Sequence, residues 1–109
     1  MLNVDAQVKL DGTGKGTAKL SPGFREEWHP ATVSVKVTTQ VLEAQCRIFY
    51  GTDTSDANYV DGTLSGSTGD STDRIPFAMS PNSIFAVWTG GDANAQASVS
   101  VLGEKVILI

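Results

Sequence analysis

The side chains best suited to covalent or acid–base chemistry are scarce in this chain, which has one cysteine and one histidine. A catalytic thiolate needs a basic neighbour, and a Ser-His-Asp triad or a histidine-based metal site needs an imidazole. Every such scheme would therefore rest on His29. It stands between Trp28 and Pro30, where it reads as a surface or hydrogen-bonded turn residue. Cys46 lies in Ala44-Gln45-Cys46-Arg47-Ile48-Phe49-Tyr50 with the strand parity of Ile48, and reads as a small buried hydrophobe. A lone cysteine forms no internal disulfide.

The carboxylates gather in polar stretches: Asp53, Asp56, Asp61, Asp70, Asp73 and Asp92. Calcium favours oxygen ligands of this kind, but Asp53-Thr54-Ser55-Asp56 and Asp70-Ser71-Thr72-Asp73 lack the spacing of an EF-hand loop. Aspartate is also an ordinary turn former, because its carboxylate accepts hydrogen bonds from nearby backbone amides. A glycosidase pair needs two carboxyls a defined distance apart, roughly 5–10 Å, and loop acids this numerous do not single one out. Gly12-Thr13-Gly14-Lys15-Gly16 superficially resembles a phosphate loop, yet it joins two strands and lacks the Lys-Ser/Thr at a helix start. The expectation is no catalytic residue, no metal site and no cofactor.

Binding surfaces are the other possibility. Aromatic rings offer flat apolar faces for sugars, and Trp28 and Tyr59 are the candidates for glycan contact, Tyr59 because it interrupts a polar stretch. Trp88 closes an apolar run and reads as core. The segment Val106-Ile107-Leu108-Ile109 reads either as a strand closing a sheet or as a surface docked on another subunit, since an exposed apolar end invites association.

The elements that must carry these residues read as β-strands throughout. The chain has 109 residues, with 8 basic and 12 acidic side chains, a net charge of −4, 18% charged residues and 11 glycines. This length suits one domain, residues 1–109, with a core of its own. Low charge with abundant glycine points away from a helical bundle. The basic residues are scattered singly, which argues against a nucleic-acid surface. No run of about 18 apolar residues is present to make a spanning helix. The start, Met1-Leu2-Asn3-Val4-Asp5, has no basic segment and no apolar run of signal-peptide length, so cytoplasmic synthesis is expected.

Residues 2–10 alternate without a break, with Leu2, Val4, Ala6, Val8 and Leu10 apolar, as on a half-buried strand. The glycines of 12–16 suit a hairpin to a return strand bearing Ala18 and Leu20. Further strands are expected near 31–39, 44–50, 59–65 and 73–78, the last at a sheet edge because Pro76 donates no ladder hydrogen bond. Ile84-Phe85-Ala86-Val87-Trp88 predicts a central strand buried on both faces. A final strand starts near Ala95, and Gly103 breaks its phase. Seven to eight short strands predict an all-β fold, an antiparallel β-sandwich of jelly-roll or Ig-like type.

The run Val87-Trp88-Thr89-Gly90-Gly91-Asp92-Ala93-Asn94-Ala95-Gln96-Ala97 resembles a segment of small virion proteins encoded by tailed phages and prophages of actinobacteria. In those, a tryptophan and a Gly-rich Asp turn precede the last alternating strand. The opening Gly-rich turn, Trp28 with its downstream proline, and Ser65-Gly66-Ser67-Thr68-Gly69-Asp70-Ser71 are similar too, so the resemblance covers about residues 3–106. It implies a non-enzymatic particle component, tail-associated as a minor tail protein or else a capsid decoration protein. Its expected partners are other virion proteins and further copies of itself in a homo-oligomer, with host-surface glycan as a possible contact of an adhesin. It implies no role for any single residue.

Overall fold

The computed structural model describes residues 1–38, 44–65, 70–73, 78–79 and 82–108. Nine strands follow one another: β1 (Leu2–Lys9), β2 (Gly16–Leu20), β3 (Glu26–Val37), β4 (Ala44–Gly51), β5 (Tyr59–Ser65), β6 (Asp70–Asp73), β7 (Ala78–Met79), β8 (Ser83–Thr89) and β9 (Gln96–Ile107). A short 3-10 turn, Asp56–Asn58, precedes β5.

The strands form two antiparallel sheets, β1-β9-β3-β6 with β7 also on β3, and β2-β8-β4-β5. The pairing of β1 with β9, β2 with β8, β3 with β6 and β4 with β5 is that of one long antiparallel ribbon rolled over on itself. This is the jelly-roll order, and it decides between the two sandwich types expected from the sequence, since an Ig fold divides its strands otherwise. The eight strands of the roll agree with the expected number, and β7 adds a two-residue ninth.

Period-two alternation builds the core. From the first sheet Leu2, Val33, Val35, Val37, Ala97, Val99 and Val101 point inward; from the second come Ala18, Leu20, Ala44, Cys46, Ile48, Ile84, Ala86 and Trp88. Val4, Ala6 and Val8 pack against them, half-buried at the sheet edge. β8 lies between β2 and β4, and its outward Phe85 is nearly as buried as its inward Ile84, as the unbroken apolar run predicts.

Two expectations need correction. The Gly-rich segment after β1 does turn tightly, with Gly14 N–H donating to Asp11 O at 3.0 Å and Asp11 N–H to Lys15 O at 2.9 Å. It is not a hairpin between paired strands, however: β1 and β2 part into different sheets, because each finds a longer partner in β9 or β8. The strand expected near 31–39 begins earlier, at Glu26, and runs through Pro30 with a register shift between Pro30 and Thr32. The bulge tolerates the missing proline N–H. Gly103 breaks the alternation of β9 as expected, with Glu104 to Ile107 all exposed while the strand runs on to Ile107. A Cβ on Gly103 would lie 2.2 Å from His29 O, which explains why a residue without a side chain faces the bulge. Pro76 lies outside the described residues.

Candidate functional site

The structure separates the residues that nucleophilic chemistry would need. Cys46 points into the core from β4 and is fully buried. Burial pushes its thiol up to about 12, so it is protonated at neutral pH. His29 is on the first sheet, exposed, with Nε2 against the Glu27 carboxylate two residues away. The two never meet. Among the described residues, no group of three or more His, Cys, Asp or Glu side chains could hold a metal ion. Asp61, Asp70 and Asp73 have no described side chains. No helix among the described residues is long and apolar enough to cross a membrane.

The Gly-rich segment is a packing element. Asp11 Oδ1 accepts from Thr13 N–H at 2.8 Å, Thr13 Oγ1 at 2.7 Å and Lys15 N–H at 3.1 Å. The Thr13 hydroxyl is the first cause that holds this carboxyl below its ordinary value, followed by the Lys15 and Thr13 amides. Gly14, at φ 75°, is pressed on the turn after β8: Gly91 N–H donates to Gly14 O at 3.2 Å, and a Cβ on Gly14 would sit 2.0 Å from Gly91 O. A loop occupied in this way has no room for a phosphate.

Besides a hollow of about 300 Å³ lined by Gln7, Lys36, Thr38, Gln96, Ala97 and Ser98, two surfaces of the described residues stand out. One is the outward face of β2-β8-β4-β5, where Lys19, Phe85, Phe49 and Tyr59 fall in a single cross-strand rank. Lys19 Nζ is 5.6 Å from the Phe85 ring centre. Phe49 and Tyr59 meet edge to face, their centres 5.7 Å apart and their planes at 65°. Phe49 and Phe85 are only 5% and 8% exposed although both face away from the core, whereas Tyr59 is 50% exposed. Beside this rank, Arg47 pairs across to Val87, and Gln45 to Thr89.

The segment after β4 borders the same face. Gly51, at φ 150°, lets the chain turn against Asn58, whose Nδ2 donates to Asp53 O at 3.1 Å and to Asp53 Oδ1 at 2.8 Å. Ser55 N–H also donates to Asp53 Oδ1 at 3.1 Å. The Ser55 amide and then its hydroxyl are the chief causes that hold the Asp53 carboxyl below its ordinary value, ahead of Asn58. The stapled segment leaves Thr54 and Asp56 at the rims of two hollows. One, of about 270 Å³, is lined by Gln45, Arg47, Phe49, Asp56 and Tyr59. The other, of about 410 Å³, is lined by Lys15, Arg47, Phe49, Thr54, Val87 and Thr89. Arg47 and Phe49 stand between them as a common wall.

The second surface is the end of the β3–β9 ribbon, where Glu26 pairs with Ile107 and Glu27 with Val106. The molecule is 48 Å long against 25 and 19 Å across. Phe24 is 86% and Ile107 57% exposed, and Val106 is also exposed. Leu108 N–H donates to Arg25 O at 2.7 Å, which ties the tail to the turn bearing Phe24. Val106 and Ile107 thus end a strand, as the first alternative has it, and are exposed at its tip. Leu108 is half-buried, and Ile109 lies outside the described residues.

Of the two glycan candidates, Trp28 is displaced. It is 4% exposed, and its Nε1–H donates to Glu26 Oε1 at 3.1 Å. That bond, followed by the one from Gly23 N–H, holds the Glu26 carboxyl below its ordinary value. Trp28 shares the inward parity of Pro30 on a strand that starts five residues earlier than expected, so its ring has no face for a ligand. Tyr59 is exposed, as an aromatic in a polar stretch suggests. The sequence reading missed Phe49, Phe85, Arg47 and Lys19 as its neighbours. Their signal was parity: Phe49 and Phe85 alternate with the inward residues Ile48, Ile84 and Ala86. It also missed Phe24, an aromatic beside Gly23 in a turn. No family model, curated protein or solved structure matches this chain.

Proposed function

We propose that this chain is a non-enzymatic building block of a tailed phage particle, tail-associated as a minor tail protein, which docks on a neighbouring subunit through the tip of its β3–β9 ribbon. The observation that carries the docking is the exposed apolar tip formed by Phe24, Val106 and Ile107. Such side chains are wet in a lone molecule and are buried by a neighbour, with stabilisation of roughly 25 cal/mol for each Å² of apolar surface covered. The jelly roll adds a fold-level analogy, since this architecture recurs in viral capsid and lectin domains. Closed assemblies of identical subunits are the usual way to cover such surfaces.

Gold-labelled antibody against the protein, viewed on purified particles by electron microscopy, tests the position. Label along the tail or at its tip supports this reading; label over the head moves the chain to capsid decoration; particles without label refute both. Deleting residues 106–109 tests the docking. The β9 pairings from Gln96 to Lys105 remain, so the variant is expected to fold as a monomer and to be missing from particles. A folded variant that still enters particles rules out the tip as the contact.

A further inference from the structure

We propose that the outward face of β2-β8-β4-β5 is a binding site for a neutral pyranose oligosaccharide, with the Tyr59 ring as its stacking platform and Arg47, Gln45 and Asp56 as its hydrogen-bonding groups. This goes beyond the building-block reading and does not depend on it.

The surface has the three properties such a ligand demands. The first is a flat apolar platform held in place. Tyr59 is half-exposed, yet its ring is buttressed edge-on by Phe49, so little rotamer freedom is lost when a sugar ring lies on it. The second is polar groups of both kinds around that platform. A sugar hydroxyl donates and accepts at once; Arg47 supplies only donors, Asp56 only acceptors when ionised, and the Gln45 amide both. All three line the hollow that Tyr59 lines. The presence of both charge signs disfavours a phosphate or a polyanion, for which Asp56 would be repulsive.

The third property is length. The hollow beside Tyr59 is close to the lower limit of small-ligand sites, about 300 Å³, and is open to solvent. It shares Arg47 and Phe49 with the second hollow, which carries Thr54, Thr89 and Lys15. From Tyr59 on β5 across β4 to Val87 and Thr89 on β8 is two strand spacings, about 10 Å. A trough of that length, divided by a low wall and lined by hydroxyl, amide and charged groups, fits successive rings of one oligosaccharide. A peptide strand would use a sheet edge and its backbone groups, whereas these contacts are side chains on a sheet face.

The test is an amide-resolved NMR titration of the full chain with hexasaccharides of glucose, galactose, mannose and N-acetylglucosamine, each to about 1 mM. At least one is expected to shift the amides of residues 45–49 and 54–59. Tyr59→Ala is expected to weaken that ligand by at least about tenfold, and Tyr59→Phe, which keeps the ring, to retain it. Phe24→Ser, at the ribbon tip, should bind as the wild type does. The proposal is overturned if no hexasaccharide moves these amides, if the shifts map elsewhere, or if Tyr59→Ala binds undiminished. It is likewise overturned if the face proves to be covered by a second copy of the chain. Incorporation of Tyr59→Ala into particles reads out the building-block role separately, because that substitution leaves the ribbon tip intact.

Discussion

The outward face of β1-β9-β3 carries the ranks Lys9–Gln96, Gln7–Ser98–Lys36 and Asp5–Ser100–Ser34, while the outward face of the opposite sheet carries Lys19–Phe85–Phe49–Tyr59. Both sheets bury their other side in the same core. An antiparallel sheet packed on one side normally shows polar residues on the other, and the first sheet does so in these ranks, with Leu102 in the next rank as its exposed apolar exception. The second places two phenylalanines away from the core and buries them nonetheless, with the Tyr59 ring edge-on to Phe49 and the Lys19 ammonium over Phe85. A rank of rings on an outward sheet face is uncommon on a surface that needs only to be wet, so the difference between the faces directs attention to the second.

The largest expected effect separates the inside of β4 from its outside, by pH. The Cys46 thiol, ordinarily near 9.0, is raised to about 12 by burial, so between those values the unfolded chain holds fewer protons than the folded one. Stability from this group is then complete below pH 9 and is lost as pH rises toward 12, by up to about 4 kcal/mol. Urea unfolding across that range should show the wild type losing stability faster than Cys46→Ala. Parallel curves would mean the thiol is not sealed in the core.

Next comes the outer rank itself. Phe85→Ala should cost about 3 kcal/mol, close to the loss for an inward aromatic, measured by the same unfolding. A loss under about 1 kcal/mol would make Phe85 an ordinary surface residue and remove the contrast between the faces. Smaller, at about 1–2 kcal/mol, is Gly51→Ala. The new Cβ meets the Asn58 side chain at 2.7–2.8 Å on a backbone of φ 150°, a conformation strained for any side chain. It should also shift the amides of 53–58, and unchanged amides would show that Asn58 is no staple. Smallest is Ser100→Ala on the serine-bearing face, within about 0.5 kcal/mol of wild type.

Much of this was legible in the sequence, for physical reasons that also mark where legibility stops. Leu2 to Leu10 and Ala97 to Val101 alternate cleanly because each strand has one wet face, and Ile84–Trp88 does not because its strand is covered on both. Turn chemistry at Asp11–Gly16 was visible, but not that its strands part company. Such a turn has the same local residues whichever partners the strands take later in the chain. Trp28 was misjudged as a surface platform because its burial is set by Glu26 and the register through Pro30, a tertiary matter. Tyr59 was legible as an exposed aromatic, since an aromatic in a polar stretch is conspicuous, whereas Phe49 and Arg47 become its neighbours only when β5 and β8 are laid beside β4.

The position of β9 and β8 has a consequence for how the chain acquires its shape. Each lies in the middle of its sheet, between β1 and β3 or between β2 and β4, yet they are the last two strands to emerge from a ribosome. β1 and β2, whose only sheet neighbours are β9 and β8, therefore wait unpaired until those strands have been made, whereas β3 can meet β6 and β4 can meet β5 earlier. Closure over such sequence separations is slow and leaves strand edges open meanwhile. In nascent chains halted before residue 83, β1 and β2 should be protease-sensitive, and their protection should appear only once β8 and β9 have been made.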